Sequence, residues 1–268
     1  MERQWSTRLA CGEGDTIVAN NLLTGPPRYV PRGPWHPPWA LVAALVIQAG
    51  FQLAAGIVGT LIAAWVTGVP VEELSQQQML TGMLAFLLIS QACVVAAVWY
   101  AAGLFGGVRR EVLQLDRPGP SAGDLVVAFI GLVVVLGAYN ALIYFLSPAS
   151  FFADMQQFVP MIRDPHGPLT AVAVGGGAPI SEELLFRGFL LSALAQWRLG
   201  FWPAALMVNA VWTAFHAGYS AAGIMEVFVG GLYLSWLLWR SGSIWLPIIC
   251  HAVTNITFLS ILALYAAR

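Results

Sequence analysis

From Trp39 to Thr67 the chain carries no charged side chain, and the same holds for residues 80–105 and 125–147. A membrane-spanning α-helix needs about 20 mostly apolar residues, so each run is long enough to cross a bilayer. In water such helices would expose apolar surface on every face. In lipid the demand inverts: every backbone N–H and C=O has to find a partner within the protein, and an α-helix supplies those partners from its own segment. The composition points the same way, with 59% of 268 residues hydrophobic and 9% charged, against roughly 25% charged in soluble domains.

The second half is also apolar but more broken, over 168–190, 201–217, 223–239 and 244–265. The expected fold is therefore all-α, a polytopic transmembrane bundle of about seven helices forming one domain over 39–268. Residues 1–38 make an N-terminal lead with four Arg and no continuous apolar stretch of the signal-peptide kind. It ends in PPRYVPRGPWHPP, which reads as extended or disordered.

Arginine placement sets an orientation. Arg3, Arg8, Arg28 and Arg32 precede the first run, and Arg109, Arg110 and Arg117 separate the second from the third. Residues 68–79 carry Glu72 and Glu73 and no Arg. Cytoplasmic loops are enriched in basic residues. The lead is therefore expected in the cytoplasm of a multi-pass cell-membrane protein, with Arg198 and Arg240 on the same side and Arg268 outside. A net charge of −1 and the lack of a basic block exclude a nucleic-acid partner, so lipid is the partner the composition implies. Cys11, Cys93 and Cys250 are far apart and form no CxxC pair. They suit neither a disulfide framework nor a zinc-thiolate site.

Charged residues inside a membrane helix are costly, by about 2.5–3.5 kcal/mol each on insertion scales, and mark function by default. The fourth run holds Glu182, Glu183 and Arg187. Glu183 and Arg187 stand at i,i+4 and can pair on one helix face. Glu182 lies about 100° around the helix, away from that pair, which makes it a candidate general base. His216 closes the fifth run, with Trp212 four residues and Asn209 seven residues before it on one face. His251 and Asn255 share a face of the last run. Polar groups in lipid seek each other, so the simplest arrangement points three helices at one cavity holding a base, a proton shuttle and two donors. Those parts activate water and stabilise an oxyanion. No GxSxG setting offers a nucleophile for an acyl-enzyme. A metal is the competing use: Glu182, His216 and His251 would give an N/N/O set open to water, as zinc hydrolases use. HExxH is absent, and the residues alone leave a divalent metal such as zinc and no metal equally open.

SEELLFRG resembles the EExxxR motif of the CPBP intramembrane proteases, which include type II CAAX prenyl endopeptidases and bacteriocin-processing or self-immunity proteins. WTAFH is similar to their FxxxH motif with Trp212 in place of Phe, and HAVTN matches their HxxxN. Order and spacing also agree, and the likeness covers roughly residues 125–265. It implies that Glu182 with His216 activates water, that His251 and Asn255 stabilise the oxyanion, and that Glu183, Arg187 and Trp212 shape and support the site. It also implies a peptide or lipidated protein substrate, cleaved near the cytoplasmic side. Resemblance leaves the metal undecided, since the family is described both as metal-dependent and as glutamate-type.

Three further features are weighed. Gly175, Gly176 and Gly177 suit either close helix approach or a local break beside the site. Glu226 suits a further site acid or an interfacial position, and Asn140 suits an interhelical hydrogen bond. Two rival functions stand beside proteolysis. A non-catalytic immunity or scaffold protein would keep the fold without the chemistry. A transporter or proton relay would place Glu and His in helices of both halves, whereas here they crowd into the second.

Overall fold

A computed structural model of the chain describes residues 22–156, 158–163, 167–198 and 200–266. Most of the expected lead, with Arg3, Arg8 and Cys11, lies outside the described residues, as do His166 and Arg268. Among the described residues every regular element is helical. The principal ones are α1 (Pro37–Thr67), α2 (Gln76–Ala102), α3 (Ala122–Leu146), the short α4 (Pro148–Gln156) and α5 (Val159–Arg163), α6 (167–194), α7 (Phe201–Ala214), α8 (Ala221–Ser241) and α9 (Trp245–Ala266). The protein is a multi-pass membrane protein: five helices, α1, α2, α3, α8 and α9, are long and apolar enough to cross a bilayer.

The expected count of about seven meets two segments of another kind. α7 has only 14 residues, short of the roughly 20 that a full crossing takes. α6 is a continuous helical run, yet it mixes two geometries. Regular turns at Gly167–Val172, Ala178–Glu182 and Leu191–Leu194 alternate with π-helical stretches at Ala173–Gly177 and Glu183–Leu190. The i→i−5 bonds are explicit, from Ala178 N–H to Ala173 O and from Leu191 N–H to Phe186 O. Every residue from Glu183 to Leu194 is buried, so α6 is the central helix of the bundle.

Local sequence fixes the helix ends. Ser75 with Gln78 and Ser121 with Asp124 form capping boxes at α2 and α3. Ser220 caps α8 by accepting from the Gly223 amide, and Gly242 closes it in the left-handed conformation at φ 65°. The outer helices keep their apolar faces outward. Only 11% of the most apolar window of α3 and 17% of that of α1 are buried, against 39% for α8 and α9. Leu53, Trp65, Val133 and Phe145 are among the most exposed side chains, a surface that lipid covers.

α1 and α2 cross at Gly59 and Gly82. A Cβ on Gly59 would lie 2.3 Å from Gly82 O, and one on Gly82 would lie 2.6 Å from Gly59 O. Small residues allow this approach of two backbones in lipid. Gly59→Leu is expected to force the helices apart and destabilise the protein by about 1–3 kcal/mol or more, as overpacking does. Thermal unfolding in detergent checks this, and an unchanged midpoint would show that the crossing is not tight.

The described part of the lead, residues 22–36, runs extended across one end of the bundle. The amides of Arg28 and Tyr29 donate to Trp239 O at 3.2 Å each, and Arg240 Nε donates to Leu22 O. Trp35 Nε1 donates to Ala101 O at 2.9 Å, and Gln114 Nε2 to Val30 O at 2.9 Å. Arg32 pairs with Asp116 at 3.0 Å and Glu111 at 3.3 Å. The strap thus joins the C-terminal ends of α2 and α8 and the loop before α3.

Candidate active site

The site is built on the second π-helical stretch of α6. Glu183 and Arg187 are both fully buried and pair at 3.2 Å, Nη1 to Oε1, as their spacing predicts. His251 Nδ1 lies 2.9 Å from the same Glu183 Oε1. A carboxylate only accepts, so Nδ1 carries the proton and Nε2 faces away from Glu183. Arg187 Nη2 also donates to Asn209 Oδ1 at 3.3 Å and to Gly231 O at 3.2 Å. Asn209 Nδ2 reaches on to Phe228 O at 2.7 Å. This buried network ties α6, α7, α8 and α9 together. Gly231 is required there, since a Cβ would stand 1.8 Å from Asn209 Oδ1.

Glu182 departs from expectation in one respect: it is not left without a partner. Its Oε2 accepts from Trp212 Nε1 at 2.7 Å, while Oε1 has no hydrogen-bond partner among the described residues. The cause is the indole, which adds an N–H donor that a Phe ring lacks. Trp212 is the hub of the site. Its ring carries the Arg187 guanidinium at 4.2 Å, and His216 and His251 stand edge-on to it at 5.0 and 5.7 Å. His216 Nδ1 lies 3.1 Å from Trp212 O, so it too is the protonated nitrogen. Neutral His216 then presents an Nε2 lone pair, the form a general base requires.

Asn255 donates from Nδ2 to Val174 O at 2.8 Å, and Gln91 Nε2 donates to Ala173 O at 3.1 Å. Both acceptors lie in the first π-helical stretch, where the shift to i−5 bonding leaves carbonyls open to side chains. Asn255 therefore holds α6 with one amide hydrogen, and its second remains for another acceptor. All three glycines lie in the π turn, and Gly175 and Gly177 also serve close approach, since a Cβ there would stand 2.9 Å from Ile256 Cγ1 and 2.0 Å from Gln91 Oε1, while Gly176 faces open space.

Glu182, Trp212, His216, His251 and Asn255 line one cavity of about 610 Å³. Its remaining walls come from α3, α4, α5, the start of α8 and α9, and are mostly apolar. Glu226 lines it as well, where an interfacial position had been the alternative, and accepts from Asn140 Nδ2 at 2.5 Å. Sequence reasoning gave no role to Gln91, Asn209, Asp154 or Tyr219. For Asn209 the signal was present, its place on the face of Trp212 and His216. Among the described residues no group of three or more His, Cys, Asp or Glu side chains is disposed to hold a metal ion. Glu182, His216 and His251 share a cavity but do not form such a group.

Residues 165–257 match the family model described as "Type II CAAX prenyl endopeptidase Rce1-like". The chain carries an Rce1-like domain. The match is narrower than the 125–265 expected from the motifs, yet it contains all three. An "Uncharacterized 24.3 kDa protein" of Escherichia coli is 31% identical over 133 residues, 48% of this chain and 57% of that protein. The chain thus spans a little over half the length of this curated relative. No solved structure matches significantly.

In this Rce1-like domain, Trp212→Phe keeps a ring beside Arg187 but removes the donor to Glu182. Hydrogen bonds to charged groups are worth about 1.5–3 kcal/mol, so the variant is expected to lose stability of that order. Thermal unfolding in detergent checks this, and an unchanged midpoint would show that the indole does not hold Glu182.

Proposed function

We propose that the protein is an intramembrane endopeptidase that hydrolyses a peptide bond of a membrane-anchored or lipidated substrate. The observation that carries this reading is one cavity lined by a carboxylate with a spare oxygen, Glu182, and two imidazoles whose Nδ1 atoms are held by protein acceptors. Glu182 Oε1 and His216 Nε2 take up a water molecule and draw its proton as its oxygen attacks the scissile carbonyl. His251, protonated on both ring nitrogens in this step and anchored through Nδ1 by Glu183, donates from Nε2 to the developing oxyanion, as does the second amide hydrogen of Asn255. The proton then passes to the departing amine, which leaves with the C–N bond electrons. Glu183, Arg187 and Asn209 hold His251 and Trp212 in place. The domain match supports a CAAX-type substrate class with a lipid anchor.

The Arg-rich loops support a cytoplasmic N terminus, because Arg32, Arg109 and Arg240 all gather at the end of the bundle that the strap covers. Beyond the site the cavity walls come from α3, α4, α5 and the first part of α8.

The test is hydrolysis of palmitoylated peptides by the protein in liposomes made up in 18O water. One 18O atom in each new carboxyl group is expected by mass spectrometry. No product across a library of anchored peptides would sink the reading.

A further inference from the structure

Beyond the Glu182 site, the cavity holds two more carboxylates, Asp154 and Glu226, and no arginine; the chain has no lysine. The two acids are not equivalent. Asp154 is a structural cap, with Oδ1 accepting from Ser220 N at 2.7 Å and Oδ2 from Ser220 Oγ at 2.5 Å. Glu226 receives the single Asn140 bond at Oε1, and its Oε2 has no hydrogen-bond partner among the described residues. The nearby arginines are committed elsewhere. Arg187 lies against the face of Trp212 and bonds to Glu183, Asn209 and Gly231. Arg163 donates to Ala266 O. Tyr219, which also lines the cavity, registers the field: burial pushes its phenol up to about 12, and the charges of Glu182, Asp154 and Glu226 push in the same direction.

A carboxylate at a low-dielectric wall is relieved by a paired cation or by taking up a proton, and the described residues supply no cation to Glu226. A substrate group bearing a second carboxylate would add repulsion, which is how a binding site rejects a partner. We propose that Glu226 is a specificity-determining residue: the cavity takes a substrate segment that carries a cationic group, an amine or guanidinium, which Glu226 binds within the cavity. The proposal rests on the proteolytic reading of the cavity, and deepens it by naming the charge of the substrate.

The test separates binding from cleavage. The full chain carrying Glu182→Gln, reconstituted in phosphatidylcholine liposomes, is titrated with palmitoylated peptides in which Lys, Gln or Glu occupies each position in turn. At one position the Lys peptide is expected to bind about tenfold tighter than the Gln peptide, as charge-assisted hydrogen bonds do, with the Glu peptide weaker still. Glu226→Gln brings the Lys-to-Gln ratio near one, and Glu226→Asp retains it. On the unsubstituted protein, decylammonium displaces the Lys peptide and decanoate does not, which tests the idea without any substitution. Equal binding of the three peptides, a Lys preference that survives Glu226→Gln, or equal competition by decanoate overturns the proposal. A Lys preference in binding with no cleavage of any peptide by the unsubstituted protein retires the proteolytic reading and leaves the cationic one standing.

Discussion

Glu182→Gln is expected to slow hydrolysis of an anchored peptide by about 10²–10⁴-fold, the contribution of a positioned general base. The substitution is nearly isosteric. The amide oxygen still accepts from Trp212 Nε1, now 2.7 Å from the carboxylate, so the indole stays in place over Arg187. What disappears is the second oxygen, replaced by an NH2 group that cannot take a proton from water. Single-turnover rates in liposomes measure the effect, with the thermal midpoint as control for folding. Activity within a few-fold of the original would remove Glu182 from the chemistry, and a lost midpoint would make it a structural residue.

Arg187→Leu is the larger stability change. The guanidinium sits at 0% exposure beside a Glu183 that is also fully buried. Removing one member of such a pair leaves the other charge unmatched, at about 3–5 kcal/mol. Here the loss extends further, because Arg187 also bridges Asn209 on α7 and Gly231 on α8. Glu183 would keep only His251. The expected outcome is a protein that unfolds at markedly lower temperature and is inactive under conditions where Glu182→Gln remains folded. Arg187→Lys separates charge from geometry: it restores a cation but cannot serve Glu183, Asn209 and the Gly231 carbonyl from one planar fork, so partial rescue is expected. A midpoint for Arg187→Leu equal to that of the unsubstituted protein would contradict the whole account of the network.

Some of this was legible in the residues. Uncharged runs mark the long helices because a bilayer removes any need for an amphipathic pattern. The Glu183–Arg187 pair follows from spacing alone, since both belong to one helix. What lay hidden depends on how separate helices meet. The Trp212 indole reaches Glu182 because α7 packs against α6, and no periodicity reveals that. Nor does the sequence show the π-helical stretches: the glycine triplet permits a break, but the bond shift is held by Gln91 and Asn255 from two other helices. Glu226 looked interfacial because it stands near the start of its helix, and α4 and α5 complete the cavity around that end. α7 reads as a span through 217, yet Phe215 and His216 turn tightly onto Trp212 and Thr213 and end it early.

The strap bears on the order in which the chain comes together during synthesis. Leu22 and Arg240 are 218 residues apart in sequence, and Arg28 and Tyr29 reach nearly as far to Trp239. Closing so long a loop has an entropic cost that rises with its length, and the Trp239 and Arg240 partners of Leu22, Arg28 and Tyr29 do not exist until α8 has left the ribosome. Residues 22–29 therefore wait through the insertion of every earlier helix and dock among the last, whereas Val30, Arg32 and Trp35 find partners once the loop before α3 is made. A translation arrest placed just before α8 should leave residues 22–29 open to protease, and one placed after α9 should leave them protected.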